Sequence, residues 1–169
     1  MYKRQLLTDS NGYLYHLGDT TDWKVDASDT ATTHAVWHQF DTTIAKDIIK
    51  ICCSHSHNAL TLFALRSDGV LLAAGFNGDA SARLNGDNNN SNPHIEIPPL
   101  PFRDKIVDIF ISGENVSDIS DTGAAVNQNN RQVVLLTETG EIYAGGENSQ
   151  GTLGKGTLTS SQTFQKVYF

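Results

Sequence analysis

Three residues with ligand or nucleophile chemistry, Cys53, His55 and His57, alternate along the chain. In an extended strand, where successive side chains point to opposite faces, that spacing lines all three on one face, with Cα atoms about 6.5 to 7 Å apart from one member to the next. A thiolate and two imidazoles so placed are zinc ligands, and a cross-strand carboxylate would complete the set. The same Cys and His also suggest a nucleophile with its base. No C-x-x-C pair, second His pair or orienting third group accompanies them, so the expected reading is a strand end entering a polar turn, with no metal and no catalysis. A second set, Asp118 and Asp121 with Asn127, Asn129 and Asn130 nearby, offers oxygen ligands of the kind calcium takes. The alternating acidic pattern and fixed glycine of an EF-hand loop are missing, and a solvated polar loop is expected instead. Asn89 and Asn115 open Asn-x-Ser sequons, which matter only on a secreted chain. No cofactor is expected.

The elements that would position these residues follow from composition and pattern. With 169 residues, 38% hydrophobic and only 18% charged, the chain holds enough apolar material for one ordinary domain. No run approaches the roughly 18 apolar residues of a membrane helix, and no basic stretch leads into an apolar run at the N-terminus. The expectation is a soluble chain with no membrane contact, cytoplasmic or virion-associated. Twelve basic against nineteen acidic residues give a net charge of −7, which repels phosphate backbones and disfavours nucleic acid. The only two cysteines, Cys52 and Cys53, are adjacent and point to opposite faces of a strand, so they do not bridge each other.

A repeat organises the rest. SNGYLYHLG, SDGVLLAAG and TGEIYAGG place glycines at Gly12, Gly69 and Gly140, each followed six residues on by Gly18, Gly75 or Gly146. An aliphatic residue follows the first glycine by two (Leu14, Leu71, Ile142), and Leu7, Leu65 or Leu136 precedes it by four or five. This is strand, tight turn, strand, with glycine supplying the positive φ of the turn. DIIKICCS at 47 to 54 superposes on KIVDIFIS at 105 to 112, matching Ile48 with Ile106, Ile51 with Ile109 and Ser54 with Ser112, as buried strands rich in β-branched residues do. An apolar segment precedes each, WHQF at 37 to 40 and IPPLPF at 97 to 102, and FQKV at 164 to 167 is similar. Each unit therefore contains about four short strands. Helical periodicity is not sustained anywhere, and the chain reads as all-β. Trp23 and Trp37 are expected to be packing residues of the repeats rather than exposed binding anchors.

At GGENSQGTLGKG, residues 145 to 156, the chain resembles the regulator of chromosome condensation (RCC1-like) repeat family, whose glycine-rich segment is carried here by Gly146, Asn148, Gly151, Leu153, Gly154 and Gly156. The middle unit is looser, with Gly75, Asn77, Leu84 and Gly86, and the first keeps only Gly18. The family's aromatic residue before the opening glycine is replaced by Leu17, Ala74 and Gly145, and its small-residue turn with a His by CCSHSHNALTL and a long insertion. The resemblance implies β-propeller blades, about two full repeats plus one partial, belonging to a larger seven-bladed ring. The approximate units are 6 to 46, 47 to 104 and 105 to 169, forming one repeat domain.

Function is expected in the loops that a rigid scaffold presents. GDNNNSNP at 86 to 93, with Asn88 and Asn90, and the insertion at 114 to 130, with Glu114, Asp118, Asp121 and Asn127, are the expected binding loops. The resemblance implies a non-enzymatic scaffold for an unidentified protein partner, with self-association if the ring is incomplete. The abundance of Thr, Asn, Ser and Gly raises a second reading, a structural or receptor-binding component of a phage or other virion; a metal-dependent enzyme using Cys53, His55 and His57 is a third. Met1 to Gln5 match the translation of GTG TAT AAG AGA CAG, the mosaic end of a transposase adapter, and are expected to be carry-over without structural role on a metagenomic fragment. The apolar ending at Val167, Tyr168 and Phe169 likewise suggests truncation.

Overall fold

The computed structural model describes residues 4–19, 30–31, 33–54, 61–75, 97–98, 100–112, 115–119, 125–129 and 132–169. Every regular element among them is a strand: β1 (Arg4–Thr8), β2 (Leu14–Asp19), β3 (Thr33–Gln39), β4 (Ile48–Ser54), β5 (Thr61–Arg66), β6 (Leu71–Gly75), β7 (Ile106–Ser112), β8 (Asn115–Ile119), β9 (Ala125–Asn129), β10 (Gln132–Thr137), β11 (Ile142–Gly146) and β12 (Ser161–Lys166). They form three blades, all antiparallel: β1-β2-β3, β4-β5-β6 and β7-β10-β11-β12. A two-stranded sheet, β8-β9, stands apart.

The central hairpin of each blade closes in the same way. Asp9, Arg66 and Thr137 donate their N–H groups to the carbonyls of Tyr13, Val70 and Glu141, and accept from the N–H groups of Gly12, Gly69 and Gly140. This is the three-residue loop in which a type I turn ends on a left-handed residue. The glycines sit there at φ of 76°, 86° and 82°, where a side chain would be strained. Six residues later, Gly18, Gly75 and Gly146 stand opposite Arg4, Thr61 and Gln132. The glycine spacing in the sequence therefore fixes strand register in all three blades.

Two cores lie between the blades. Leu14 and Phe40 of the first blade pack with Leu62, Ala64, Leu72 and Ala74 of the second. The other face of the second blade, Phe63, Leu65, Leu71 and Ala73, packs with Val133, Leu135, Tyr143 and Phe164 of the third. A sheet buried on both faces needs apolar residues at consecutive positions, which is why β5 and β6 read as nearly continuous apolar runs rather than alternating ones. Burying each Leu or Phe of this kind contributes about 1.5 to 3 kcal/mol.

Two expectations are corrected. Residues 97, 98 and 100–102 of the IPPLPF segment are not a strand. Prolines at 98, 99 and 101 remove ladder donors, and the segment instead packs Leu100 and Phe102 on the second core, Phe102 stacked on Tyr143 with ring centroids 4.0 Å apart. Arg4 and Gln5, expected to have no structural role, are the first two residues of β1, paired with Gly18 and Leu17. A ladder needs backbone groups only, so residues of any origin can extend it.

Candidate interaction surface

The blades are joined by a backbone latch at the hairpin turns of the first and second blades. The Gly12 carbonyl accepts from the N–H of Ile48, which opens β4, at 2.9 Å; the Gly69 carbonyl accepts from Ile106, which opens β7, at 3.4 Å. The approach is close enough to exclude a side chain. A Cβ on Gly12 would lie 2.9 Å from the Asp47 Cα and the Ile48 nitrogen, and one on Gly69 would lie 3.0 Å from the Ile106 nitrogen. Gly140 has the same φ but nothing within 4 Å of its Cβ position. Beside the latch, Lys50 of β4 donates to Asp108 of β7 at 2.5 Å, and the two occupy equivalent positions on neighbouring blades. This bond, with help from the Ile109 N–H, holds the Asp108 carboxyl below its ordinary range.

The glycine-rich segment is built around a side chain. Asn148 is fully buried; its Nδ2 donates to the carbonyls of Thr157 and Thr159 at 2.7 and 3.2 Å, and its Oδ1 accepts from the Leu153 N–H at 2.8 Å. Gly151, Gly154 and Gly156 take left-handed φ of 75°, 63° and 67° around it. Leu153, 2% exposed, anchors the loop. Across the third blade, Lys166 donates to Glu141, and Tyr143 donates to the other oxygen of that carboxylate. The Lys166 bond first, then Tyr143, lowers the Glu141 pKa, and Glu141 in turn raises that of Lys166.

The insertion expected as a loop at 114 to 130 contains the hairpin β8-β9. Its register is that of the blade: Ser112 pairs with Gln132, and three residues further along each strand Asn115 pairs with Asn129. The β8-β9 pairing is thus in step with that of β7-β10, the two remaining separate sheets among the described residues. Asp118 stands opposite Val126, and Asn127 opposite Ser117. Among the described residues β8 and β9 pair only with each other. Glu114, Asp121, Asn88 and Asn90 lie outside the described residues, as do His55, His57 and Trp23. Cys53, near the end of β4, is exposed, and desolvation raises the pKa of its thiol.

Two features escaped the sequence reading. Trp37, expected to be a packing residue, is 42% exposed on β3. On the same strand His34, nearly buried, stacks on His38 with centroids 3.7 Å apart, and the fully buried His16 of β2 meets His34 edge-on at 6.1 Å. Histidines scattered over positions 16 to 38 give no motif; only the β2-β3 register, pairing His16 with His38, assembles them.

Blades of antiparallel strands, latched edge to edge by glycine turns and packed face to face, define a repeat-built β-propeller architecture. No family model matches the sequence, and no curated protein matches it. Among solved structures it is similar to human WBSCR16, at 16% identity over 98% of this chain and 37% of that one, with a TM-score of 0.66. It is also similar to Prp20p of Saccharomyces cerevisiae, described by its binding to Gsp1p and histones, at 12% identity over 98% of this chain and 36% of that one, TM-score 0.64. The structure of Kap60 bound to yeast RCC1 (Prp20) matches at 14% identity over 99% of this chain and 34% of that one, TM-score 0.62. The fold is therefore of the regulator of chromosome condensation type. The chain spans about a third of the length of these solved proteins.

Proposed function

We propose that the chain is a non-enzymatic scaffold that binds another protein through the β8-β9 hairpin and the 86 to 93 segment. The observation that carries this reading is that the polar β8-β9 hairpin pairs in step with β7-β10 of the third blade, Asn115 with Asn129 as Ser112 with Gln132. A hairpin whose strands pair only with each other among the described residues offers backbone donors and acceptors to an added strand. The sequence of the 114 to 130 insertion carries Glu114, Asp118 and Asp121, so a partner segment with Lys or Arg fits its charge. The solved neighbours described as binding Gsp1p, histones or Kap60 agree with a binding role for such blades.

The test is site-specific photo-crosslinking in a host extract from Asp118 and Asn127, with Ser67 in the second blade's turn as control. One recurrent protein captured from the hairpin but not from Ser67, competed by unlabelled chain and bound by it when both are purified, is the expected result. Equal capture from all three positions refutes the hairpin as the binding element.

A further inference from the structure

We propose that Asn11 is a modification site that records opening of the joint between the first and second blades: a rearrangement blocked while the blades are latched converts it to isoaspartate and prevents the latch from re-forming. Asn followed by Gly is the pair most disposed to this chemistry, because glycine has no side chain to shield its backbone nitrogen. Asn11 is exposed and stands directly before the latch residue Gly12. Equivalent positions in the other two turns hold Asp68 and Thr139, which have no side-chain amide to expel. The Asp68 carboxylate is bonded to Arg66 at 2.6 Å, and a carboxylate anion is a poor electrophile.

In the reaction the Gly12 backbone nitrogen gives its proton to solvent base and attacks the Asn11 Cγ. A Cγ–N bond forms, the Cγ–Nδ2 bond breaks, and ammonia leaves a five-membered cyclic imide. Water then opens the imide at Cγ, giving aspartate, or at the main-chain carbonyl, giving isoaspartate with the chain running through Cγ; nothing is oxidised or reduced. The latched turn opposes the first step from both sides of the attacking residue. The Gly12 N–H is held by the Asp9 carbonyl at 3.0 Å, and the Gly12 carbonyl by the Ile48 N–H at 2.9 Å. Its neighbours are fixed as well, the N–H groups of Asn11 and Tyr13 each donating to Asp9 Oδ1 at 2.9 Å. Nor can the turn shift towards the second blade, because backbone atoms of Asp47 and Ile48 lie 2.9 Å from the position of a Gly12 Cβ. The two products differ in consequence. Aspartate at 11 reproduces what the second blade already carries at Asp68, in a turn closed by the same backbone bonds. Isoaspartate adds a methylene between the residue 11 Cα and the Gly12 nitrogen, inside the loop that the bond from Gly12 to Asp9 closes, and so carries the Gly12 carbonyl away from Ile48.

Ageing the 169-residue chain in mildly alkaline buffer, native and in guanidinium chloride, tests this by mass spectrometry of tryptic peptide 5–24. Asn11 is the only asparagine in that peptide, and electron-transfer fragmentation separates isoaspartate from aspartate. Conversion is expected to be at least about tenfold slower in the native chain, as for a reaction that proceeds only through local opening. Leu72→Ala removes buried volume from the first interface without touching the turn, so it should raise the native rate and leave the unfolded rate unchanged. Low guanidinium chloride added to the parent supplies the same opening if that variant does not fold. Amide exchange then reads the latch: the Ile48 N–H should lose its protection in chains carrying isoaspartate at 11 and keep it in an Asn11→Asp variant, with Ile106 unchanged in both. Equal rates in the native and unfolded chains overturn the proposal, as does a native rate that neither Leu72→Ala nor low denaturant moves. So does an Ile48 amide that stays protected beside isoaspartate, or one released equally by Asn11→Asp, which makes charge rather than chain linkage responsible.

Discussion

Alanine at Gly12, Gly69 and Gly140 in turn separates backbone strain from latch contact. All three residues have φ between 76° and 86°, so each substitution forces an L-residue into the left-handed region at roughly 1 to 2 kcal/mol. The same substitution restrains the unfolded chain in each case and returns about 0.4 to 1 kcal/mol, which cancels in the comparison. What differs is space. At Gly140 the new Cβ meets nothing within 4 Å, so the net loss should be about 1 kcal/mol. At Gly12 it meets backbone atoms of Asp47 and Ile48 at 2.9 Å, which cannot swing aside, and an overpacking cost of about 1 to 3 kcal/mol is added. At Gly69 it meets the Lys105 Cγ, and the Lys105 Cβ and Ile106 nitrogen at 3.0 Å, atoms held close to the backbone, so a cost of the same order is added. Urea unfolding of the dilute chains, followed by tryptophan fluorescence, should show larger losses for Gly12→Ala and Gly69→Ala than for Gly140→Ala. If Gly140→Ala falls within about 0.5 kcal/mol of Gly12→Ala, beyond which independent effects are usually separable, the latch reasoning is wrong.

Asn148→Ala should destabilise the third blade by about 2 to 4 kcal/mol, because it strands the Leu153 N–H and two carbonyls in a buried loop; amide exchange should rise first across 148 to 160. Asn148→Asp should not restore it, since the acceptor returns but both carbonyls then face an anion. The Lys50–Asp108 pair should contribute to stability in a pH-dependent way. The folded Asp108 pKa is depressed, so the contribution is present above the ordinary carboxylate range near pH 4 and fades as pH falls through the lower folded value. Asp108→Asn, which keeps an acceptor for Ile109, should therefore lower the unfolding free energy in urea at pH 7 by up to about 1 kcal/mol, and the gap to the parent should close in acid. A constant gap down to pH 2.5, roughly a unit and a half below the ordinary Asp value, would count against the pair.

The parts legible in the sequence are those that backbone geometry dictates. Gly12, Gly69 and Gly140 mark turns that only a residue tolerant of positive φ can make, and the match of Ile48 with Ile106 marks the strands whose first N–H groups close the latches. The IPPLPF segment misled because its apolar residues fit a strand while its prolines forbid the ladder. The 114 to 130 insertion reads as a loop because NVSDI and AVNQN carry no apolar alternation, yet these segments pair as strands in step with β7 and β10. Trp37 was unreadable for another reason. Burial depends on what stands opposite, and nothing in the residue or its neighbours states whether a blade covers it.

The first interface shows why the repeat is blurred at the level of side chains. Where the second blade places the buried Leu65 against its neighbour, the first has the exposed Thr8, and where the second has Ala73 the first has the much larger His16, fully buried and edge-on to Phe40. The volume lost at Thr8 returns from the connector at 41 to 47. Asp41 turns it, accepting from the Thr43 N–H with Oδ1 and from the Ala45 N–H with its carbonyl, and so delivers Ile44 and the fully buried Ala45 to the core. The corresponding step into the third blade is shorter, from Phe102 directly to Ile106, and there the volume comes from Leu65, Leu100 and Phe102 themselves. A core tolerates such exchanges as long as total volume is kept. A carbonyl that must meet an incoming N–H at 2.9 Å, past a position where a Cβ would strike backbone, admits no exchange. Side-chain identity can therefore drift until sequence comparison loses the relationship, while the glycine turns and the strands they latch keep the blades superposable.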